Sequence, residues 1–349
     1  NIDENIDDIY YTKLYGKSNT KALRDFHNLY VKMMLIKGPS QSGYTLIDLA
    51  VGKGGDFPKW IDSKLSFIFG IDLSKDNIEN RIDGACARYL NYKKKFKNMP
   101  DVLFVNGNSS LNIKSGEAIL SEKEKIITKA VFGMGEKSER VLGKGVVKNY
   151  GKGKDGFDIC SCQFALHYFF ENMVVLSNFI QNVADSTKIG GHFIGTCYDG
   201  NLIFNELKSL SIGQGTSLFK NDLKIWEIIK QYENNEFKDD ETSLGYSIDV
   251  FQETIGKSFK EYLVNFTFFK NIMENYGFVL LSKDEANSLN LPNSNGLFSD
   301  LHSHMQLEVL SNKELKKNIG ESLKMSEEEK KISFYNRYFI FKKERHVGN

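Results

Sequence analysis

The sequence lacks the features that mark exported, membrane-spanning or strongly charged proteins. No apolar run approaches the roughly 18 to 20 residues that a membrane-spanning helix requires, and the first thirty residues do not follow the order of a signal peptide. The 46 basic and 45 acidic residues leave a formal charge of +1, so any nucleic-acid contact must come from a local patch. We therefore expect a soluble, unexported globular chain without membrane contact.

Cysteine is also scarce, and its positions exclude the usual metal motifs. The cysteines are Cys86, Cys160, Cys162 and Cys197. They lie in apolar or strand-like surroundings without a CxxC or Cys/His spacing, which favours reduced thiols and a cytosol-like compartment. The cluster Asp300, His302 and His304 lacks further ligands at suitable spacing, so we predict no metal site.

Short apolar runs alternate with longer amphipathic stretches between about residues 44 and 200. The predicted strands are 44–50, 66–72, 102–105, 157–164 and 191–198, and the predicted helices between them are 56–62, 75–97 and 169–188. This order predicts an α/β fold with a parallel sheet covered by helices on both faces. Such sheets bind ligands outside the carboxyl ends of their strands, so we expect the site there.

Three regions depart from this alternation within what we treat as a single domain. Residues 1–43 predict a helical lead-in to the 44–200 core, and 115–156 exceeds ordinary loop length and predicts a surface insertion. In 201–349, a polar stretch precedes an aromatic-rich helix at 262–276, a strand at 278–281 and a last strand at 335–341. These last elements would add an antiparallel strand at the sheet edge. Because the chain begins with Asn rather than Met, we expect a segment of a longer protein.

The strongest local motif is LIDLAVGKGGD at residues 46–56, a strand that enters a glycine turn. Gly52 permits close approach of the backbone to a flat ligand, and Asp56 is predicted to cap the following helix. Asp72 ends the second strand twenty residues after Gly52, where a carboxylate can accept ribose hydroxyls. Phe57 stands where a dinucleotide site needs a third glycine, so adenosine without pyrophosphate is favoured, with S-adenosylmethionine the main candidate. The alternative is a glycine turn without a ligand.

Polar and aromatic residues follow the fourth predicted strand, in FDICSCQFALHYFFE at residues 157–171. Gln163 offers an amide, Phe164 a stacking face, and His167 with Tyr168 a hydrogen-bonding pair. Stacking combined with polar edge contacts suits a nucleobase. The alternative is that the aromatic side chains form the core of the next helix.

These motifs together resemble the mRNA cap guanine-N7 methyltransferases, most of all the methyltransferase segment of capping enzymes from large DNA viruses of the giant-virus or poxvirus type. The resemblance rests on LRDFHNLYVK, LIDLAVGKGGD, GIDLS, SCQFALHYFFE, GGHFIGTCYDG and EYLVNF, in order over about residues 23–341. It implies a doubly wound, Rossmann-like class I fold with a mostly parallel seven-stranded sheet and an antiparallel edge strand. It also implies methyl transfer from S-adenosylmethionine to the guanine N7 of a GpppN cap, yielding m7GpppN and S-adenosylhomocysteine.

The resemblance also implies roles for individual residues. The cofactor would be bound by Lys32, Asp48, Gly52, Asp72, Asn108 and Gln163. Lys32 would hold the methionine carboxylate, and the amide oxygen of Asn108 would replace the family's aspartate opposite the adenine amine. The cap would be bound by His27, Asn28, Phe164, His167, Tyr168, Glu261 and Tyr335, or by Tyr338 in place of Tyr335. The catalytic group would be His167, Tyr168 and Glu261.

The chemistry of the implied reaction needs no general base, because guanine N7 carries a lone pair and no proton. We expect catalysis by in-line positioning, with Glu261 accepting from guanine N1 and N2 and His167 acting as a positioning residue. From the sequence alone, Glu261 is equally well read as a solvated glutamate in the first turn of a helix. Two further functions stay open: a methyltransferase acting on another nucleobase or a small molecule, and a non-catalytic cap-binding or regulatory module.

The resemblance also suggests partners. We expect capped RNA as substrate, and triphosphatase and guanylyltransferase domains upstream in the same chain. Some viral relatives depend on a small stimulatory subunit, and the sequence leaves that dependence open here. A viral protein would act in the cytoplasm, in a viral factory or virion, and a cellular homologue in the nucleus. The basic residues of the insertion are Arg140, Lys144, Lys148, Lys152 and Lys154. They suit either RNA phosphates or a solvated loop, and the interspersed acids and glycines favour the loop.

Overall fold

The structure is a computed structural model in which residues 18–347 are described, and the structural statements below concern that range. Its strands are β1 Thr45–Asp48, β2 Phe67–Asp72, β3 Asp101–Asn106, β4 Phe157–Gln163, β5 Thr187–Tyr198, β6 Gly215–Lys220, β7 Leu223–Lys230, β8 Ser247–Gln252, β9 Ser258–Tyr262, β10 Phe278–Leu280, β11 Asn295–Leu297 and β12 Asn336–Lys343.

The helices begin with α1 Lys21–Asp25, which continues through a π-helical segment, Phe26–Val31, into α2 Lys32–Lys37. The others are α3 Phe57–Asp62, α4 Lys75–Glu79, α5 Ala85–Lys95, α6 Glu122–Val131, α7 Glu139–Leu142, α8 Lys144–Lys148, α9 Met173–Ser186, α10 Gly200–Leu207, α11 Phe266–Asn275, α12 Lys283–Ser288, α13 Phe298–Ser311, α14 Lys313–Asn318 and α15 Glu327–Phe334. Single 3-10 turns occupy Leu166–Phe169, Glu241–Ser243 and Ser322–Lys324. No helix between residues 18 and 347 has the length and apolar composition needed to cross a membrane.

The larger sheet is mostly parallel and has the order β10-β12-β5-β4-β1-β2-β3. Strand β1 lies between β2 and β4, and all four of its residues are buried because helices cover both faces of the sheet. Trp60 of α3 belongs to the core on one face, and Phe179 of α9 belongs to the core on the other. This arrangement confirms the predicted doubly wound α/β fold. Parallel pairing also brings the carboxyl ends of β1, β2 and β4 to one edge.

The predicted antiparallel strand is β12. It pairs with β5 from Asn336 opposite Tyr198 to Lys342 opposite His192. The short strands β10 and β11 both pair with the outer side of β12. The end of the sheet is therefore completed by the last segment of the described chain, as the sequence predicted, but the sheet has eight strands rather than the predicted seven because β11 also pairs with β12.

Two predicted helices differ from the observed ones because asparagines end or begin them. The helix predicted over 75–97 is broken into α4 and α5, since the Asn80 side chain accepts from the backbone N–H groups of residues 82 and 83. The helix predicted over 169–188 begins only at Met173, where the Asn172 side chain accepts from the backbone N–H of Val175.

A second sheet, not predicted from the sequence, occupies most of the polar stretch after residue 200. It is antiparallel, with the order β6-β7-β8-β9. Glu261 lies on β9 opposite Ile248 of β8, so its interpretation as a first-turn helix residue was wrong. The aromatic helix predicted at 262–276 begins later, as α11, after an Asn265 cap.

The insertion at 115–156 is folded rather than an open loop. It contains α6, α7 and α8, and its side chains Ile119 and Val131 are buried in the protein core. Lys148 forms an ion pair of 2.7 Å with Asp101 at the start of β3. The insertion therefore packs against the outer end of the parallel sheet.

Candidate active site

A cleft of about 1060 Å³ lies at the carboxyl ends of the parallel strands. Its walls come from the ends of β1, β2, β4 and β5, from the N-terminal helical segment and from the second sheet. The sequence-predicted residues that line it are His27, Asn28, Lys32, Asp48, Gly52, Asp72, Asn108, Gln163, Phe164, His167, Tyr168 and Glu261. Segments more than two hundred residues apart in the chain thus meet in one cavity.

The glycine turn presents bare backbone to this cleft. Gly52 has a φ of +55°, and a Cβ built there would meet nothing within 4 Å. Gly55 is also open to space on its Cβ side. The backbone N–H of Gly52 donates to Asp72 Oδ2 at 2.7 Å, which ties the turn to the end of β2. A side chain at Gly52 would therefore be strained in its backbone and would project into open cleft.

Asp72 is held in one orientation by three donors. Besides Gly52, the backbone N–H of Ser74 and the side-chain amide of Asn77 donate to Oδ1, at 3.0 and 2.9 Å. Burial raises the pKa of Asp72, and the three hydrogen bonds oppose that rise. The strand end thus fixes an acceptor at the wall of the cleft.

A compact charge cluster lies beside the turn and corrects one prediction. Asp56 makes no side-chain cap to α3. Its Oδ1 instead lies 2.7 Å from Lys32 Nζ and 2.9 Å from Lys59 Nζ. Burial disfavours the Asp56 charge, but the two ammonium groups outweigh burial and lower its pKa to about 2. The attraction of two lysines, Lys59 buried and Lys32 partly buried, exceeds what a cap would supply, so the carboxylate turns away from the helix end.

Asp48 behaves oppositely to its neighbour Asp56. Burial and the Asp56 charge raise the pKa of Asp48 to about 7, although the Ala50 N–H donates to it at 3.0 Å and Lys32 favours its ionisation. Two lysines and two acids of contrasting ionisation therefore share this corner of the cleft.

Asn108 is present in the cleft but is oriented differently from expectation. Its Oδ1 accepts from both the backbone N–H and the hydroxyl of Ser110, which closes a local turn. The amide oxygen predicted to face an adenine amine is thus already engaged. The side chain presents its NH2 group as the function left for a purine.

The end of β4 is conformationally strained. Phe164 has a φ of +54°, which a bulky residue rarely adopts, and its N–H donates to the Thr196 carbonyl at 3.0 Å. Gln163 is anchored by the Thr196 hydroxyl, which donates to its Oε1 at 3.0 Å. Strain of this kind persists where surrounding structure enforces it, here to direct two neighbouring side chains into one cleft.

The ring of Phe164 stacks on His27, with centroids 5.2 Å apart and an angle of 15° between planes. His27 lies in the π-helical segment, and its Nε2 is 2.8 Å from the Ser333 hydroxyl. Burial, with a contribution from the Lys32 charge, lowers the pKa of His27 to about 3, so its ring is neutral. The N-terminal helix therefore supplies part of an aromatic wall.

His167 and Glu261 form a buried pair that also lines the cleft. His167 Nε2 lies 3.4 Å from Glu261 Oε1. Burial lowers the pKa of His167 to about 3 and raises the pKa of Glu261 to about 8, so both groups are uncharged at neutral pH. Within the described part of the chain, both His167 ring nitrogens and Glu261 Oε2 have no hydrogen-bond partner. Buried polar atoms of this kind indicate a ligand site.

Several cleft residues were missed by sequence reasoning. They are Arg24, Lys53, Arg88, Tyr198, Ile225, Trp226, Gln252, Glu253 and Phe259. Most belong to the unpredicted second sheet or its surroundings, where the apolar alternation of LKIWEIIK was the available signal. None of the insertion's five basic residues is among the described residues that line the cleft.

The C-terminal tyrosines are not where the resemblance implied. Neither Tyr335 nor Tyr338 is among the described residues that line the cleft. The Tyr335 ring lies behind the wall, stacked on Trp226 at 5.4 Å, and its hydroxyl pairs with Glu206. A direct cap contact by Tyr335 is therefore not supported by this geometry.

The His302 side chain is also packed among aromatic rings. It is buried against Phe26 and Phe334, with ring centroids 5.4 and 5.5 Å apart. Between residues 18 and 347, no group of three or more His, Cys, Asp or Glu side chains is arranged to hold a metal ion.

The chain is similar to known proteins over most of its length. The model of the mRNA (guanine-N(7))-methyltransferase domain matches residues 10–344. The chain is 28% identical to a probable mRNA-capping enzyme of Acanthamoeba polyphaga mimivirus, over 96% of this chain and 28% of that protein. It is 28% identical to mRNA cap guanine-N(7) methyltransferase 1 of Arabidopsis thaliana, over 73% of this chain and 58% of that one.

A third relative, the mRNA cap guanine-N(7) methyltransferase of Saccharomyces cerevisiae, is 27% identical over 75% of this chain and 51% of its own length. Among solved structures, the CcbJ methyltransferase of Streptomyces caelestis has a TM-score of 0.49 at 10% identity, over 97% of each chain. The chain thus spans about a quarter of its viral relative and just over half of the plant and yeast proteins. By its family match, the chain belongs to the mRNA (guanine-N(7))-methyltransferase domain family.

Proposed function

We propose that this chain transfers the methyl group of S-adenosylmethionine to N7 of the guanosine cap of mRNA. The observation that carries the proposal is one cleft with two chemically different walls. One wall has the open Gly52 backbone and Asp72, and the other has the buried pair of His167 and Glu261. The first suits an adenosine ligand, and the second suits the hydrogen-bonding edge of a guanine.

The cofactor wall fits the parts of S-adenosylmethionine. The Gly52 backbone leaves room for a flat ligand, and Asp72, which accepts from the Gly52 N–H, would also accept from ribose hydroxyls. Lys32 would bind the methionine carboxylate, and Lys59 would keep Asp56 compensated while Lys32 turns to the ligand. An α-ammonium near Asp48 would lower the raised pKa of that carboxyl. When bound, the cofactor supplies an electrophilic methyl group on a sulfonium.

The guanine wall fits an edge that offers two donors. Ionised Glu261 would accept from guanine N1 and N2, and the neutral His167 ring beside it would orient the base. Phe164 with His27 would supply a stacking face, with Gln163 between the two ligands. Tyr168, whose ring lies edge-on to His167 at 4.2 Å, would complete the pocket.

Catalysis in this proposal is positional. Guanine N7 has a lone pair and no proton, so the side chains need only hold the base in line with the methyl group, a contribution of about 7 to 11 kcal/mol at best. The purine gains positive charge during transfer, and the ionised Glu261 carboxylate would stabilise that charge. His167, neutral because it is buried, transfers no proton in this account.

The experiment is a methyl-transfer assay with radiolabelled S-adenosylmethionine and three acceptors: GpppA-capped RNA, GTP and uncapped RNA. We expect m7GpppA on nuclease digestion of the capped RNA and little or no label in uncapped RNA. Equal labelling of uncapped RNA would favour a different nucleobase target. Binding of GpppA and S-adenosylmethionine without transfer would favour a non-catalytic module.

The further domains and the subunit of the native protein are also proposals. We propose that the native chain also holds triphosphatase and guanylyltransferase domains; the proposal is supported by the viral relative, which is described as a probable capping enzyme and is matched over only 28% of its length. Dependence on a stimulatory subunit is tested by adding the native complex to this chain. An unchanged rate would refute dependence.

A further inference from the structure

The Asn77 side chain, on α4, lies beside Asp72 and has a polar atom that the proposed mechanism leaves unused. Its Nδ2 donates to Asp72 Oδ1 at 2.9 Å. Because an ionised carboxylate only accepts hydrogen bonds, this contact fixes which end of the amide faces Asp72 and leaves Oδ1 as the other end. Within residues 18–347, Asn77 Oδ1 is buried and has no hydrogen-bond partner. Asn77 is 3% exposed and lines the cleft, so the cofactor wall holds a second acceptor beside Asp72.

The position of Asn77 follows from the chain after β2. Asp72 ends the strand, and Ser74 caps α4, with its Oγ accepting from the Asn77 backbone N–H at 3.3 Å. Asn77 is thus the third residue of the helix. Side chains of a helix tilt toward its N-terminus, so the amide at this position turns back toward the strand end. The same short segment therefore places a carboxylate and an amide side by side.

The hydrogen bonds that Asp72 already accepts limit what it can offer to a ribose. A carboxylate has about four acceptor positions, two on each oxygen. Asp72 Oδ1 accepts from the Ser74 N–H and from Asn77 Nδ2. Asp72 Oδ2 accepts from the Gly52 N–H, so a single position on this oxygen is left for a ligand. The ribose of an adenosine has two adjacent hydroxyls to donate, and the second of them needs another acceptor.

We propose that Asn77 binds the cofactor ribose, with Asn77 Oδ1 accepting from one hydroxyl while Asp72 Oδ2 accepts from the other. The hydrogen bond between the two side chains holds both acceptors at adjacent positions, as two adjacent hydroxyls require. This inference rests on the proposed function, because it takes S-adenosylmethionine as the ligand of this wall. It adds a residue that recognises the ribose to the acid at the end of β2.

The test removes one side chain and one hydroxyl, separately and together. Titration calorimetry measures the affinities for S-adenosylhomocysteine and for its 2′-deoxy and 3′-deoxy forms, in wild type and in Asn77→Leu. Leucine is similar in size to asparagine and forms no hydrogen bond. In wild type, we expect loss of the hydroxyl that binds Asp72 to lower affinity by roughly tenfold or more, because its acceptor is charged. Loss of the hydroxyl that binds Asn77 should lower affinity by roughly two- to tenfold.

In Asn77→Leu, one of the two hydroxyls should no longer contribute to binding. S-adenosylhomocysteine and the deoxy form that lacks this hydroxyl should then have affinities within about twofold of each other, whereas the other deoxy form should still bind more weakly. The matched control is Gln231→Leu. The Gln231 amide also donates to an aspartate, Asp249, at 2.7 Å, but Gln231 is not among the described residues that line the cleft. This variant should keep the wild-type affinities for all of these ligands.

Two results would overturn the inference: an unchanged cost of removing each hydroxyl in Asn77→Leu, or a loss of affinity by the same factor for every ligand. Either would mean that Asn77 only orients Asp72. If thermal unfolding shows that Asn77→Leu does not fold, the same comparison in Asn77→Ala decides. Failure of the proposed function gives different results. Wild type that binds no S-adenosylhomocysteine would remove the cofactor and this inference together, whereas methyl transfer to an acceptor other than the cap would leave the ribose test intact.

Discussion

The two walls of the cleft differ in how they are built and in how they handle charge. The cofactor wall comes mainly from β1, β2 and the turns after them, and its charges are compensated, as in the Lys32, Asp56 and Lys59 cluster. The guanine wall joins the 3-10 turn after β4 to β9, and its pair of His167 and Glu261 is uncharged. The charges of the cofactor wall are already paired without a ligand, which suits a ligand that carries fixed charges. The guanine wall is neutral without a ligand, and Glu261 becomes charged when the ligand binds.

The largest effect is expected on the cofactor wall. Asp72→Ala removes the acceptor for ribose and leaves the Gly52 and Asn77 donors unpaired, so S-adenosylmethionine affinity should fall by about 2 to 4 kcal/mol. Titration calorimetry measures the loss. The control is Asp62→Ala, an exposed acid paired with Lys37 outside the cleft. Unchanged S-adenosylmethionine affinity in Asp72→Ala would mean that this wall does not bind the cofactor.

The corresponding test of the guanine wall is Glu261→Gln. The amide keeps the shape but places a donor against guanine N–H groups, so kcat/KM for GpppA should fall by roughly 2 to 3 kcal/mol, more through kcat than through binding. Cofactor affinity should stay the same. Glu227→Gln on β7, whose partner is Lys224, serves as control. If S-adenosylmethionine affinity fell as much as kcat/KM for GpppA, the two walls would not bind their ligands independently.

Aromatic stacking should contribute less. Phe164→Ala and Tyr168→Ala should each weaken GpppA binding by about 1 to 3 kcal/mol, because base stacking on an aromatic ring has that magnitude. Fluorescence titration measures the affinity, and thermal unfolding in parallel shows whether the fold survives. Collapse of the fold in either variant would support the alternative that these rings are core.

The smallest expected effect, counted per pH unit, is a pH dependence of GpppA affinity. Only the guanine wall should cause it. The pKa of Glu261 is raised to about 8, so the ligand-free site is protonated below that value and guanine must bind the minority ionised form. GpppA affinity should therefore fall about tenfold per pH unit below 8, whereas Glu261→Gln should be flat. Calorimetry at several pH values measures this dependence. Wild-type affinity that is constant from about pH 6 to 8 would contradict the neutral pair.

The same shift has a consequence for stability. The folded Glu261 carboxyl retains a proton between its ordinary pKa of 4.5 and about 8, whereas the unfolded chain releases it. Its contribution to the free energy of unfolding should therefore decrease as pH rises through that window. Denaturant titrations of wild type and Glu261→Gln isolate the contribution.

The two walls also differed in how far the sequence predicted them. Gly52 and Asp72 follow from local patterns, because a buried strand, a glycine turn and a spaced acid form one βαβ unit. The neighbouring Asp56 was misread as a cap, since its lysine partners include Lys32 from a distant helix. Local sequence patterns thus predict the strand, the turn and the acid of this wall, but they do not predict which charged side chains pair there.

Only part of the guanine wall could be predicted from the sequence. Glu261 was identified by resemblance, but its strand lies in a sheet whose mixed polar sequence predicted no element. Trp226 and Tyr198 meet across two sheets, a contact that no spacing in the sequence reveals. Tyr335 was expected at the cap but packs behind Trp226, because the position of β12 and the chain before it follows from tertiary packing.

The central claim, transfer by positioning without a general base, is tested most directly by the pH profile of the single-turnover rate with both substrates saturating. Wild type and His167→Ala are compared on GpppA-capped RNA. Because burial lowers the pKa of His167 to about 3, the account predicts no limb near the ordinary histidine value of about 6.5 and profiles of the same shape in both proteins. A wild-type limb near that value, lost in His167→Ala, would show that His167 transfers a proton and would contradict the account.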